Sequence, residues 1–209
     1  MPQPRNRSVP VIFFYLIVAL ALFFTINSRK VAEHAWPKTL SRLRVDYSAL
    51  VRASGGGEPE RPQLIDSKRY FNAVNSIYGQ RSDADAFLGV THFYLGDRNS
   101  ARAAFLRLEA KESGFFWAKY DLAVLAFQEK NYPAALDYCQ QALQLPTERS
   151  VTFMMTSKVY QPLFVENGIT PQKLAQNIEQ ARLLLLQMLI TIKAGVPESF
   201  GGQLLVRVF

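Results

Sequence analysis

Few residues in this chain have the chemistry to act on a substrate, and their spacing keeps them from acting together. Its two histidines, His34 and His92, have no carboxylate or cysteine at metal-ligand or triad spacing. Asp83 and Asp85 stand two apart, which on a helix points them to different sides and does not pair them for acid–base work. Gly55–Gly57 precedes neither a strand nor a Lys-Ser/Thr pair, so it is not a phosphate-binding loop. Cys139 is the single cysteine, which excludes an internal disulfide and any multi-cysteine metal site. This inventory gives no support to an enzyme, and no cofactor or metal is expected.

The elements that carry these residues follow from composition and periodicity. At 209 residues the chain has room for one domain and an appendage, and its 49% hydrophobic and 20% charged fractions are those of a globular protein. The net charge of +7 is uneven. Residues 1–70 carry eleven Lys/Arg against five Asp/Glu, whereas residues 71–209 carry thirteen against twelve. A nucleic-acid binder would show a basic face on its folded part. Here that part is nearly neutral, so no nucleic-acid partner is expected.

Val11–Ile26 (VIFFYLIVALALFFTI) holds sixteen residues without a charge. As a helix it would extend roughly 24 Å at 1.5 Å per residue, short for a bilayer but adequate with snorkelling by Arg7, Arg29 and Lys30. Arg5 and Arg7 before the run also suit a cleaved signal peptide, yet the one Ala-x-Ala triplet, Ala19–Ala21, lies inside the run. An uncleaved single-pass anchor in the lipid bilayer is the expectation. Arg29, Lys30, Lys38, Arg42 and Arg44 outnumber Arg5 and Arg7, so the positive-inside count favours a cytoplasmic domain by a small margin. An N-terminal anchor with a basic tail commonly leaves its domain outside, so the extracytoplasmic side stays open.

Beyond the anchor, Trp36, Leu40, Leu43, Tyr47 and Leu50 form one helical stripe, with Pro37 in its first turn. Lys38 and Arg42 lie off that stripe, where they could meet anionic lipid headgroups. Ala53–Gln63 (ASGGGEPERPQ) reads as a flexible linker.

The strongest pattern is an internal repeat. Shifting LAVLAFQEKNYPAALDYC (Leu122–Cys139) back by 34 residues lands on LGVTHFYLGDRNSARAAF (Leu88–Phe105). Leu88 matches Leu122, Gly89 matches Ala123, Phe93 matches Phe127, Asp97 matches Asn131, Ala101 matches Ala135 and Phe105 matches Cys139. Asp97 and Asn131 suit the N-cap of a second helix, with Pro133 in the first turn. The match with Phe105 makes Cys139 a core residue. The flanks extend the pattern: Asp66–Tyr78 reads as the second helix of a degenerate earlier copy. Val151–Phe164 and Pro171–Ala194 read as a third pair, with Thr170 as N-cap and Gly195 as terminator.

Leu122, Ala123, Ala135, Ala142 and Leu143–Pro146 in one copy, with Leu88, Gly89, Ala101 and Phe105 in the other, resemble the tetratricopeptide repeat family, whose period is 34. The two copies cover about residues 82–148. Two departures stand out: the family's tryptophan position holds Asp85 and Lys119, with Trp117 two residues upstream of the latter, and the first copy lacks a closing proline. The resemblance implies an all-α fold, a short helical-hairpin solenoid behind a single transmembrane helix, with a concave face built by the first helix of each pair. It implies groove positions Ala86, Val90, Phe93 and Tyr94 in one copy, and Trp117, Tyr120, Val124 and Phe127 in the other. None is a lysine, arginine or asparagine, so a hydrophobic segment suits them better than a terminal carboxylate.

Leu183–Ile192 (LLLLQMLITI) is apolar nearly all round, so Leu183, Leu184, Leu186, Leu189 and Ile190 are expected to meet a partner. The strand-like tail Gln203–Phe209 could cover part of this surface or add to a partner's sheet. The domain plan is a tail (1–8), anchor (9–27), membrane-proximal helix (28–52), linker (53–63), helical domain (64–196) and C-terminal tail (197–209). The functional expectation is a membrane-anchored scaffold that recruits or holds another protein. The alternative is a permanent accessory subunit of a membrane complex.

Overall fold

Alternating runs of apolar and helix-forming residues, broken by Gly, Asp, Asn and Pro, produce a stack of helices. A computed structural model describes residues 16–20, 61–79, 81–157, 160–201 and 204–207. Between Arg61 and Lys193 it contains α1 (Arg61–Tyr78), α2 (Ser82–Tyr94), α3 (Arg98–Lys111), α4 (Phe116–Gln128), α5 (Tyr132–Gln144), α6 (Thr147–Thr156), α7 (Tyr160–Asn167) and α8 (Pro171–Lys193). No strand occurs among the described residues, so the chain is all-α there.

The 34-residue echo is two successive hairpins, α2–α3 and α4–α5. Asp97 and Asn131 cap the second helix of each. Their side-chain oxygens accept the N–H of Ser100 at 3.1 Å and of Ala134 at 3.3 Å. The turns before them repeat bond for bond. Leu95, Gly96 and Asp97 donate to the carbonyls of Thr91, Phe93 and His92; Glu129, Lys130 and Asn131 donate to Leu125, Phe127 and Ala126. The central residue of each turn is left-handed, Gly96 at φ +84° and Lys130 at φ +60°. Glycine takes that conformation freely, whereas lysine carries a strain of about 1–2 kcal/mol.

Small residues set how closely each hairpin closes. A Cβ placed on Gly89 would overlap three carbons of the Phe105 ring, which is itself fully buried and has nowhere to swing. At the matched positions of the second hairpin stand Ala123, larger than glycine, and Cys139, smaller than phenylalanine, both fully buried. Each hairpin thus places one small and one filling residue at the crossing.

The departure at the family's tryptophan position has a structural reason. Asp85 is fully buried, and its carboxylate meets Arg107 at 3.0 Å and Lys111 at 2.9 Å on α3 and the Asn75 amide at 3.2 Å on α1. Thirty-four residues on, Lys119 meets Glu109 of α3 and Gln141 of α5, each at 2.5 Å. A position that an apolar ring could fill is held here by a buried charge that makes ion pairs to one neighbouring helix and an amide hydrogen bond to the other. Losing one partner would strand a buried charge.

The flanks partly depart from expectation. α1 packs on α2, with Phe71 stacked on Phe87 at 4.9 Å, and it begins at Arg61, inside the stretch read as linker. Val151–Phe164 is not one helix: α6 stops at Thr156 and α7 starts at Tyr160. Ser157 leaves the helical conformation at ψ 124° and its hydroxyl accepts the Tyr160 N–H at 3.4 Å, while Pro162 falls in the first turn of α7, where a missing N–H breaks no bond. α8 starts on Thr170, whose hydroxyl accepts the Lys173 N–H at 3.2 Å, and ends before Gly195 at φ +72°. Leu174, Ile178, Ala181, Leu185 and Met188 turn one face of α8 inward, and Met188 Sδ lies 3.4 Å from Cys139 Sγ. Burial pushes the Cys139 thiol up to about 12, so it remains protonated at neutral pH.

Residues 16–20 are helical and exposed. The rest of the Val11–Ile26 anchor, the Trp36–Leu50 stripe with Lys38 and Arg42, and residues 53–60 lie outside the described residues. No helix among the described residues is long and apolar enough to cross a membrane.

Two stability predictions follow from the hairpin crossings and turns. Gly89→Ala gains about 1 kcal/mol of helix propensity but overpacks a rigid ring at about 1–3 kcal/mol. A net loss near 1 kcal/mol in urea unfolding is expected, with recovery in the Gly89→Ala/Phe105→Leu double variant; an unchanged or raised midpoint for Gly89→Ala alone would contradict the close approach. Lys130→Gly releases the turn strain and should raise stability by about 1 kcal/mol, read as an upward shift of Tm by about 2–4 °C.

Candidate functional site

On α4, Trp117, Asp121, Val124 and Gln128 recur at intervals of four, three and four, which places them on one helix face. On α2 the residues 34 positions earlier, Phe87, Val90 and Tyr94, share the equivalent face. These two faces form a groove, and the chain itself fills it. At one end Tyr160 of α7 packs its ring 5.2 Å from that of Phe87. At the other end the C-terminal tail returns. After Gly195 the chain makes a 3-10 turn at Pro197–Ser199, lays Phe200 5.4 Å from the Phe127 ring and places residues 204–207 against both helices.

The tail is held by its main chain. The Gln128 amide donates to the Leu204 carbonyl at 3.2 Å, and the Tyr94 hydroxyl donates to the Val206 carbonyl at 3.2 Å. Tyr94 and Gln128 stand 34 residues apart, so each hairpin offers one donor from the same position, and the donors reach alternate carbonyls. The Arg207 N–H donates to Asp121 Oδ1 at 2.8 Å. The C=O of residue 206 and the N–H of residue 207 belong to one planar trans peptide and point in opposite directions. That single peptide group is therefore gripped on both sides, from α2 by Tyr94 and from α4 by Asp121. Val206 is fully buried beneath the clamp.

Electrostatics sharpen the grip. Asp121 is fully enclosed, and burial raises its pKa well above the usual carboxylate range; the Arg207 N–H and the Arg207 charge offset only part of that. Burial pushes the Tyr120 phenol up to about 12, against the pull of Arg207. Burial and the nearby Asp121 raise Tyr94 as well, so its hydroxyl keeps the proton it donates.

The structure brings the expected groove residues together but leaves few of them accessible. Ala86, Val90, Trp117, Tyr120 and Val124 are buried. Phe93, Tyr94 and Phe127 are half-buried at the rim. In so short an array the flanking α7 and the tail take up the aromatic surface. Two residues that do contact the tail, Asp121 and Gln128, were not among the expected positions. Their signal was in the sequence: a carboxylate and an amide on the same stripe as Trp117 and Val124, in a helix otherwise almost wholly apolar. The tail does not cover the outer face of α8, where Leu183 is 67% and Ile190 63% exposed and Leu186 lies between them on the same stripe; Leu184 and Leu189 are half-buried.

Compared with protein-family models, curated proteins and solved structures, the chain matches none of them.

The raised pKa of Asp121 has a defined sign. The folded state holds its proton more tightly than the unfolded chain, whose aspartates titrate near about 3.9. The resulting stability is present below that pH and is lost as pH rises through the folded pKa. Asp121→Asn keeps an acceptor for the Arg207 N–H without the titration. Urea midpoints from pH 4 to 8 should therefore show the Asn variant gaining on the parent as pH rises; parallel profiles would contradict a buried, proton-retaining Asp121.

Proposed function

We propose that the chain is a membrane-tethered interaction scaffold: a short tetratricopeptide-like array anchored by Val11–Ile26 and presenting a groove to a partner protein. The observation that carries this reading is the clamp on the 206–207 peptide. Side chains of two helices recognise main-chain groups, which is the chemistry for binding an extended segment. Fully buried Val206 adds an apolar contact, in keeping with a hydrophobic segment as ligand.

A second reading draws on a different observation. The stripe Leu183–Leu186–Ile190 is exposed on α8, as a permanent subunit's contact face would be before assembly. The two readings put the partner on different surfaces.

Site-specific photo-crosslinking in native membranes separates them. A crosslinker at Phe93, on the groove rim, should capture one discrete protein, and one at exposed Ala103 should not. Capture from Leu186 alone would favour the permanent subunit, and equal labelling from Phe93 and Ala103 would sink the groove reading. In the same membranes the chain should resist carbonate extraction, and deletion of residues 1–30 should release it.

A further inference from the structure

The tail held in the groove has the properties of a ligand. The geometrically defined hydrogen bonds from the groove to residues 204–207 go to main-chain carbonyls and an amide, and the side-chain requirements are two: an apolar group where Val206 sits and a basic group at 207, whose charge faces Tyr120 and Asp121. The register of the donors, one per hairpin at matched positions, suits any segment that offers alternate carbonyls on one edge. The tail is joined to the array through Gly201 and Gly202, and a side chain added at Gly201 would meet open space.

From these observations we propose that residues 204–207 are an internal ligand, occupying the site at which a partner's extended segment binds, so that partner capture requires release of the tail. The competing segment is defined by the same chemistry: a branched apolar residue at the Val206 position, followed by a basic residue whose N–H meets Asp121 and whose charge faces Tyr120, which excludes proline there. This rests on the scaffold reading of the groove and adds its regulation. A short tether holds the tail at an effective concentration of about millimolar. A partner segment therefore binds the intact chain more weakly than the released groove by the ratio of that concentration to the tail's own dissociation constant.

The test uses the full chain in detergent micelles with a specific protease site inserted between Gly201 and Gly202. The probe is a fluorescent synthetic peptide of residues 202–209. Before cutting, the probe should bind weakly. After cutting and dialysis it should bind at least about tenfold more tightly, and Asp121→Ala should abolish that gain. Equal affinity before and after cutting would overturn the proposal, as would absence of binding to a cut chain that keeps its helical circular dichroism. If loss of the tail unfolds the array, added peptide should restore the helicity in proportion to occupancy, and failure to restore it would equally overturn the proposal. A dimer of the uncut chain that dissociates on cutting would place the tail in a second copy's groove and refute the intramolecular form. Failure of the scaffold reading is seen separately: crosslinking at Phe93 would capture no partner while the cut chain still binds the peptide.

Discussion

The crossing of α2 and α3, where the Phe105 ring occupies the space above Gly89, sets the rest of the structure. Only a glycine permits that ring to lie so near the helix backbone, and at the matched positions of the next hairpin the smaller pair Ala123 and Cys139 is fully buried. Two hairpins closed in the same way, with turns that repeat bond for bond, present their first helices in the same register. Tyr94 and Gln128 consequently project at matched points along one groove. Buried ion pairs at Asp85 and Lys119 then fix each first helix against its neighbours, giving the array its alignment as well as its closeness.

A groove of this kind is apolar at its base and polar at selected points, and the selection has a physical basis. A peptide brought out of water loses the hydration of its N–H and C=O, at about 1–3 kcal/mol for each group left unpaired. Tyr94, Asp121 and Gln128 supply partners for the Leu204 and Val206 carbonyls and the Arg207 N–H around the buried Val206 side chain. Asp121 is the costly member, since burial of its carboxylate opposes ionisation. A carboxyl group in an apolar helix face is hard to account for by packing alone, and its one described hydrogen bond is to the tail.

Much of this was legible in the sequence, for reasons tied to local chemistry. The caps Asp97, Asn131 and Thr170 and the terminator Gly195 rest on residue types acting within a turn or two of themselves, and the core role of Cys139 on its place in the 34-residue echo. The less legible features are long-range. Nothing local marks Asp85 and Lys119 as a pair of buried ionic ties, because their partners lie on neighbouring helices. The break at Ser157 lies in a stretch whose apolar residues run through it without a change of period. Gln203–Phe209 read as a strand-like tail that would cover α8 or add to a partner's sheet, but the Val206 carbonyl and the Arg207 N–H are met by side chains of helices about a hundred residues earlier. Asp121 and Gln128 were visible as polar residues on an apolar stripe, and only the tail gives them a purpose.

The most direct test of the account is hydrogen exchange at the Arg207 amide in the intact chain. Clamped to Asp121 with Val206 buried beside it, this N–H should exchange orders of magnitude more slowly than in a free peptide, at a rate set by opening of the groove. Exchange at the free-peptide rate, with α2 and α4 still protected, would mean the tail does not reside in the groove and would contradict the account.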